Sequence, residues 1–356
     1  MTNLEDLPLR DDLKGLKPYG APQLDVPIQL NVNENTFGIP EAVALDIIQE
    51  LAAEVIKLNR YPDREFLELR AEFAAYLGHS LTSDQIWAAN GSNEIITQIF
   101  QAFGGPGKSA LSFGPTYSMY PNIARITLTN YQELGRLAQF ELTADYVAQQ
   151  LSEYQPSIAI LCNPNNPTGT PIDNSVIEAA YNAFNGILVV DEAYAEFSSN
   201  DSALSLLHGR PRLIVSRTMS KAFAFAGARV GYLAADAAIV DAMRIVRLPY
   251  HLSALTQAAA RAALRHSREM LANVEQIKVQ RDRMITQLSA LGLRVYASEA
   301  NFILVEGFEN PNQVFEQLLA KGVIVRNVGI PNTLRITAGT EAETTKLLGE
   351  LALILD

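Results

Sequence analysis

Ser157-Ile158-Ala159-Ile160-Leu161, Asn163-Pro164-Asn165-Asn166-Pro167-Thr168-Gly169 and Ile187-Leu188-Val189-Val190-Asp191 together decide the fold of this chain. The first and last are apolar runs of strand length, too short for core helices. Between them, Asp173–Phe184 carries a helical pattern. Strand, helix and strand in this order make a parallel crossover unit. Leu213–Ser216 reads as a third buried strand. Apolar runs that alternate with helices point to an α/β domain with a mostly parallel sheet covered on both faces.

Outward from this centre, helical patterns cover Arg64–Leu77 and Ser92–Phe103, and a long one runs from about Ser253 to Leu291. The alternation then changes. Asn301–Glu306, Val323–Arg326 and Thr333–Thr337 read as strands, with helices at Asn312–Ala320 and Glu341–Leu355. That tail suits a small α+β domain. The expected division is an N-terminal segment, 1–35, packed with the small domain. A large domain, 36–260, follows, and then a connecting helix and small C-terminal domain, 261–356.

Composition narrows the function. The chain has 356 residues, 48% of them hydrophobic, enough for one large and one smaller core. A net charge of −11 offers nothing to attract nucleic acid or an anionic membrane. Cys162 is the sole cysteine, so neither an intrachain disulfide nor a cysteine zinc site can form. His79, His208, His251 and His266 lack metal-ligand spacing, and no metal is expected. Met1–Arg10 is acidic and has no signal-peptide core, and no apolar run is long enough to span a membrane. A cytoplasmic protein is the expectation.

The chemistry gathers at the C-terminal ends of the predicted strands, where ligands bind in open α/β sheets. Ser216-Arg217-Thr218-Met219-Ser220-Lys221-Ala222-Phe223, followed by Arg229, sets an amine among hydroxyls and a guanidinium. A lysine can form a Schiff base with an aldehyde, and hydroxyls with an arginine can hold a phosphate, which suits pyridoxal phosphate. An exposed helix start with solvated charges is the plainer alternative. Asp191 either caps a following helix or pairs with a cation, and a protonated pyridine nitrogen is one. Tyr194 either packs in the core or reaches the ring's phenolic oxygen. The rigid turn 163–169 can present Asn166 as a donor to an oxyanion. Gly91-Ser92-Asn93-Glu94 opens an apolar helix at which Ser92 or Asn93 can cap, and its N–H groups can take an anion. Pro115-Thr116-Tyr117-Ser118-Met119-Tyr120 offers an aromatic face, and Arg60-Tyr61-Pro62-Asp63 a tyrosine on a turn. Arg326 and Arg335 lie on late strands and need an acidic partner or an acidic substrate.

Together these residues resemble the fold-type-I pyridoxal-phosphate-dependent aminotransferases, and within them the histidinol-phosphate aminotransferase branch. The resemblance runs from Leu30-Asn31-Val32-Asn33-Glu34-Asn35 to Leu334-Arg335-Ile336-Thr337. It includes Asn59-Arg60-Tyr61-Pro62-Asp63, Asn90-Gly91-Ser92-Asn93-Glu94-Ile95 and Val246-Arg247-Leu248-Pro249-Tyr250. Thr36 and Arg64 stand where the family often has proline, which touches loop rigidity and not the chemistry.

The resemblance implies a role for each residue. Lys221 carries the cofactor as an aldimine and shuttles the proton. Asp191 pairs with the pyridine nitrogen, Tyr194 and Asn166 bond the phenolic oxygen, and Tyr117 stacks on the ring. Ser92, Asn93, Thr218, Ser220 and Arg229 hold the cofactor phosphate. Tyr61 reaches that phosphate from the second subunit of a homodimer. Arg335, helped by Arg326, binds the substrate anion, while Tyr19, Asn35 and Tyr250 belong to the substrate pocket. The implied reaction moves an amino group between L-histidinol phosphate and 2-oxoglutarate, giving imidazole acetol phosphate and glutamate in histidine biosynthesis. An aromatic-amino-acid aminotransferase or a threonine-phosphate decarboxylase would share nearly all of the cofactor residues.

Overall fold

The computed structural model describes residues 3–18, 20 and 22–355. Its centre is a seven-stranded sheet. The strands are β2 (Ile86–Ala89), β3 (Ser109–Gly114), β4 (Asn130–Gly135), β5 (Ile158–Cys162), β6 (Ile187–Asp191), β7 (Leu213–Thr218) and β8 (Gly231–Ala235), in the order β2-β8-β7-β6-β5-β3-β4. β4, β3, β5, β6 and β7 run parallel, while β8 is antiparallel to both β7 and β2. β5 and β6 are buried along their whole length, because helices cover both faces. Their crossover helix, Asn174–Ala183, turns Val176, Ile177 and Ala180 into the core.

The second unit is a three-stranded antiparallel sheet of β9 (Arg294–Val295), β10 (Phe302–Glu306) and β12 (Thr333–Thr337), with β10 central. The helices Val274–Ala290, Pro311–Ala320 and Glu341–Leu355 pack with it. The N-terminal segment joins this unit. β1 (Ile28–Gln29) pairs in parallel with β11 (Val323–Ile324). Each unit has its own hydrophobic cluster, one around Trp87, Phe100 and Phe113 and one around Phe302, Ile336 and Leu347.

Several boundaries differ from the sequence reading for local reasons. The helix expected from Arg64 begins at Leu67. Asp63 accepts from the amides of Glu65 (2.9 Å) and Leu67 (3.1 Å), which holds a turn there, and Phe66 is left-handed at φ 38°. The long pattern from Ser253 to Leu291 is three helices, Ala254–Arg265, Ser267–Met270 and Val274–Ala290. The strand expected over Val323–Arg326 stops at Ile324, and Arg326 rejoins the sheet through a single antiparallel bridge to Arg335.

Candidate active site

A cavity of about 460 Å³ opens at the C-terminal ends of β5, β6 and β7. Ser92, Asn93, Tyr117, Asn166, Asp191, Tyr194, Thr218, Ser220, Lys221, Arg229, Arg326 and Arg335 all line it. Parallel register is what gathers them. Asp191 closes β6 directly opposite Ser216 of β7, and Cys162 of β5 is opposite Asp191.

Lys221 follows β7 and sends its Nζ to the carbonyl of Val32, 3.0 Å away on the N-terminal segment. Burial, with Arg335 and Arg229 nearby, pushes its amine down to about 8 from 10.5, against the pull of Glu34. An amine tuned this way is partly neutral near physiological pH, as a nucleophile and proton carrier must be.

Asp191 is buried at 3% exposure. Its Oδ2 accepts from Tyr120 (2.7 Å) and its Oδ1 from Ser216 (2.9 Å). Burial raises its pKa, and these two hydroxyls only partly oppose the shift. Among the described residues no lysine or arginine forms an ion pair with Asp191. A buried carboxylate held only by neutral donors is a site for an external cation. Asp191 does not cap a helix; the next helical turn is Ala195–Phe197, with Tyr194 at its N-cap position.

A second group of residues lining the cavity is suited to an anion. The Ser92–Phe103 helix starts there behind Gly91, which is its N-cap at φ 84° with no side-chain cap. The expected capping by Ser92 or Asn93 is therefore corrected. Both lie in the first helical turn, and Glu94 reaches back to the Asn90 amide instead (2.7 Å). Arg229 lies against this helix start, since a Cβ on Gly91 would come within 2.4 Å of its Nη2. Thr218 and Ser220 complete the group, with the Ser220 amide donating to Thr218 Oγ1 (3.1 Å) and Arg229 Nη1 to Ser220 Oγ (3.4 Å). Helix N–H groups, hydroxyls and a guanidinium in one place have the chemistry to cradle a phosphate.

The turn after β5 is fixed by its own asparagines. Asn163 bonds Ile172 in both directions, and Asn165 donates to Thr168 Oγ1 (2.7 Å) and to the Pro115 carbonyl (3.0 Å). Asn166 is thereby aimed at the cavity, where its Nδ2 donates to the Tyr194 hydroxyl (3.1 Å) and its Oδ1 accepts from Arg335 Nη1 (2.7 Å). Burial raises the Tyr194 pKa, so the phenol stays protonated. Tyr117 walls the cavity, donates to Asn93 Oδ1 (3.1 Å) and meets Tyr120 edge-on, with centroids 5.5 Å apart.

Three candidates lie elsewhere. Asn35 does not line the main cavity; its Nδ2 holds the Ala222 carbonyl (3.0 Å), next to Lys221. Tyr61 and Tyr250 stack on each other at 4.4 Å and also stand outside the cavity of their own chain. Tyr19 lies outside the described residues. Conversely, Tyr120, Ser216 and Asn33 hold site residues without having been marked as site residues by the sequence. All three lay in quoted motifs, but nothing local marked them as partners of site residues.

The fit to pyridoxal phosphate follows from these observations. A buried amine, a buried carboxylate without a cationic partner and an anion cradle line one cavity of suitable size.

Comparison with known proteins agrees. The family described as aminotransferase class I and II matches residues 25–351. A histidinol-phosphate aminotransferase of Paenarthrobacter aurescens is 56% identical over 100% of this chain and 97% of its own length. One from Thermobifida fusca is 52% identical over 96% of this chain and 94% of its own. The crystal structure of histidinol-phosphate aminotransferase from Sinorhizobium meliloti in complex with pyridoxal-5'-phosphate shares the fold at a TM-score of 0.87. Its identity is 23%, and the match covers 98% of this chain and 97% of that one. The chain thus belongs to the class I and II aminotransferases, pyridoxal-phosphate-dependent transaminases, and within them to the histidinol-phosphate aminotransferase family.

Proposed function

We propose that this chain transfers the amino group of L-histidinol phosphate to 2-oxoglutarate, giving imidazole acetol phosphate and glutamate, as a step of histidine biosynthesis. The observation that carries this reading is the placement of two arginines, Arg326 and Arg335, in the same cavity as Lys221. Histidinol phosphate has a phosphate and no carboxylate, whereas glutamate has carboxylates. A guanidinium fork accepts either anion bidentately, so one site serves both halves of the reaction.

Pyridoxal phosphate supplies an electron-withdrawing ring that accepts the electron pair left when a bond at the amino-bearing carbon breaks. Asp191 would hold the proton on the ring nitrogen. Tyr194 and Asn166 would serve the phenolic oxygen, and Tyr117 would pack against the ring. Ser92, Asn93, Thr218, Ser220 and Arg229 would hold the phosphate. Lys221 would supply the amine that carries the cofactor, and its Nζ would serve as the base for the proton on the amino-bearing carbon. Arg335 and Arg326 orient the substrate by its anion.

The active site is composite in this reading, and the working form is a homodimer. Tyr61 is 79% exposed, stacks on Tyr250 and stands outside its own cavity. That supports a role for Tyr61, with Tyr250, at the site of a second copy. We also take 36–260 as the cofactor-bearing domain and 261–356, joined by 1–35, as the smaller one, a division supported by the two hydrophobic clusters. Among the described residues no helix is long and apolar enough to cross a membrane.

A substrate panel tests the function. The cofactor-loaded protein is mixed with histidinol phosphate, phenylalanine or threonine phosphate, and conversion of the bound cofactor is followed by its absorption. Histidinol phosphate should lead by at least about tenfold in kcat/KM, the scale of one lost polar contact. A lead for phenylalanine, or release of carbon dioxide from threonine phosphate, would overturn the substrate assignment.

A further inference from the structure

The Tyr194 oxygen receives two side-chain amides. Asn166 Nδ2 donates to it at 3.1 Å and Asn33 Nδ2 at 3.0 Å. The Asn166 amide is not at liberty to turn. Asn166 Oδ1 accepts from Arg335, which has no acceptor to offer, so its NH₂ must face the tyrosine. Asn33 is clasped by Thr337, whose Oγ1 accepts from the Asn33 backbone amide (3.1 Å) and donates to Asn33 Oδ1 (3.1 Å). The backbone of Asn33 is held as well, since Asn301 Nδ2 donates to its carbonyl (3.1 Å).

A phenolic oxygen has room for about two donors besides its own hydrogen. With both places taken, the Tyr194 hydrogen must leave in a third direction, and Tyr194 lines the cavity. We infer that Asn33 is a positioning residue that, together with Asn166, makes the Tyr194 hydroxyl a one-way donor into the cofactor site. This rests on the reading that Tyr194 serves the phenolic oxygen of the cofactor. Asn33 also lines the cavity, but its side-chain amide is engaged by Tyr194 and Thr337, so in this inference it acts through Tyr194. Thr337, in turn, keeps the Asn33 amide facing the right way.

The consequence is spectroscopic. A donor at the phenolic oxygen draws electron density from the ring and makes the nitrogen joined to Lys221 less basic. Losing the donor raises the pH at which the bound cofactor changes colour. Asn33→Gly removes the amide without adding charge and suits the left-handed φ of 57° at this position. The experiment titrates the absorption of the cofactor-loaded protein in four forms: parent, Tyr194→Phe, Asn33→Gly and the double variant. Tyr194→Phe should raise the midpoint. Asn33→Gly should raise it by less, about half a pH unit, the scale of one neutral hydrogen bond. The double variant should match Tyr194→Phe if Asn33 acts through the hydroxyl.

The failures are separable. If Tyr194→Phe leaves the midpoint in place, the role of Tyr194 itself is wrong and the inference falls with it. If Tyr194→Phe shifts the midpoint but Asn33→Gly does not, the inference about Asn33 is overturned and Tyr194 stands. Additive shifts in the double variant overturn it too, since Asn33 would then act directly. Should Asn33→Gly loosen the fold, Thr337→Val supplies the same test from behind, and an unmoved midpoint there overturns the inference.

Discussion

Arg335 donates through Nη1 to Asn166 Oδ1 and through Nη2 to the carbonyl of Asn31, each at 2.7 Å. The candidate anion-binding residue is thus tied both to the turn after β5 and to the N-terminal segment. Lysine carries the charge but cannot span both acceptors and grip an anion with a fork. Arg335→Lys is expected to lower kcat/KM by about ten- to a hundredfold in both half-reactions, the scale of one or two charged hydrogen bonds. Single-turnover kinetics with histidinol phosphate and with 2-oxoglutarate measure each half, and an unchanged rate in both would remove Arg335 from substrate binding.

Lys221 gives a pH prediction whose sign is fixed by its environment. Its folded-state pKa is lowered to about 8, so the charged form is disfavoured in the site. Imine formation with an aldehyde needs the neutral amine. Capture of pyridoxal phosphate by the cofactor-free protein should therefore quicken as pH rises and level off above about 8, where an ordinary lysine would keep accelerating toward 10.5. Stopped-flow mixing across this range reads the plateau. A rate that climbs without a break past pH 9 would contradict the lowered value. Lys221→Ala should abolish both the capture and the turnover.

Behind the cavity lies an ion pair that the motifs did not announce. Arg217 of β7 donates Nε and Nη2 to Glu192 Oε2 at 3.0 and 2.8 Å, and its Nη1 is 3.6 Å from Glu196. The side chains of Arg217 and Glu192 are 10% and 2% exposed. Asp191 and Thr218 line the cavity; their chain neighbours Glu192 and Arg217 pair with each other. Removing one partner leaves the other charge buried, which costs about 3–5 kcal/mol. Glu192→Gln should lower stability by that order in chemical denaturation of the cofactor-free protein. A loss below about 1 kcal/mol would mean that water or a neighbour takes over the charge.

What could be read from the sequence was what is local. Ser92–Phe103, Ile187–Asp191 and Glu341–Leu355 have the predicted bounds, because apolar periodicity and strand-length runs are written within each segment. β8 was not legible. Its Gly-Tyr-Leu-Ala-Ala run has little β-branched character and owes its place to pairing with β7 and β2. Tyr120 and Asn33 escaped for a related reason. Their hydrogen-bond partners, Asp191 and Tyr194, are 71 and 161 residues away. Only the register of the finished sheet and the path of the N-terminal segment bring them together. Tyr61 and Tyr250 mark the opposite case, as the motifs containing them were legible while a single chain gives them no cavity to line.

Two glycines next to the phosphate cradle should fail in different ways. A Cβ on Gly231 of β8 would come within 2.2 Å of the Gly91 carbonyl carbon and of the Ser92 amide nitrogen. Those are backbone atoms at a helix start buried against the sheet, so they cannot yield without moving the helix. Gly231→Ala is expected to destabilise the fold by several kcal/mol, about the cost of overpacking a core. A Cβ on Gly91 would instead meet the end of the Arg229 side chain, which can swing aside. Gly91 also sits at φ 84°, which adds roughly 1–2 kcal/mol of backbone strain for alanine. Gly91→Ala should therefore keep its fold at moderate cost but displace Arg229 from the cradle. The expected signature is a cofactor that dissociates about tenfold faster on dilution, as one charged hydrogen bond is lost. Thermal melting with and without saturating pyridoxal phosphate measures both effects. A cofactor held more weakly stabilises less, so saturating pyridoxal phosphate should raise the melting temperature of Gly91→Ala by less than that of the parent. A gain equal to the parent's would show that Arg229 does not depend on the space left by Gly91.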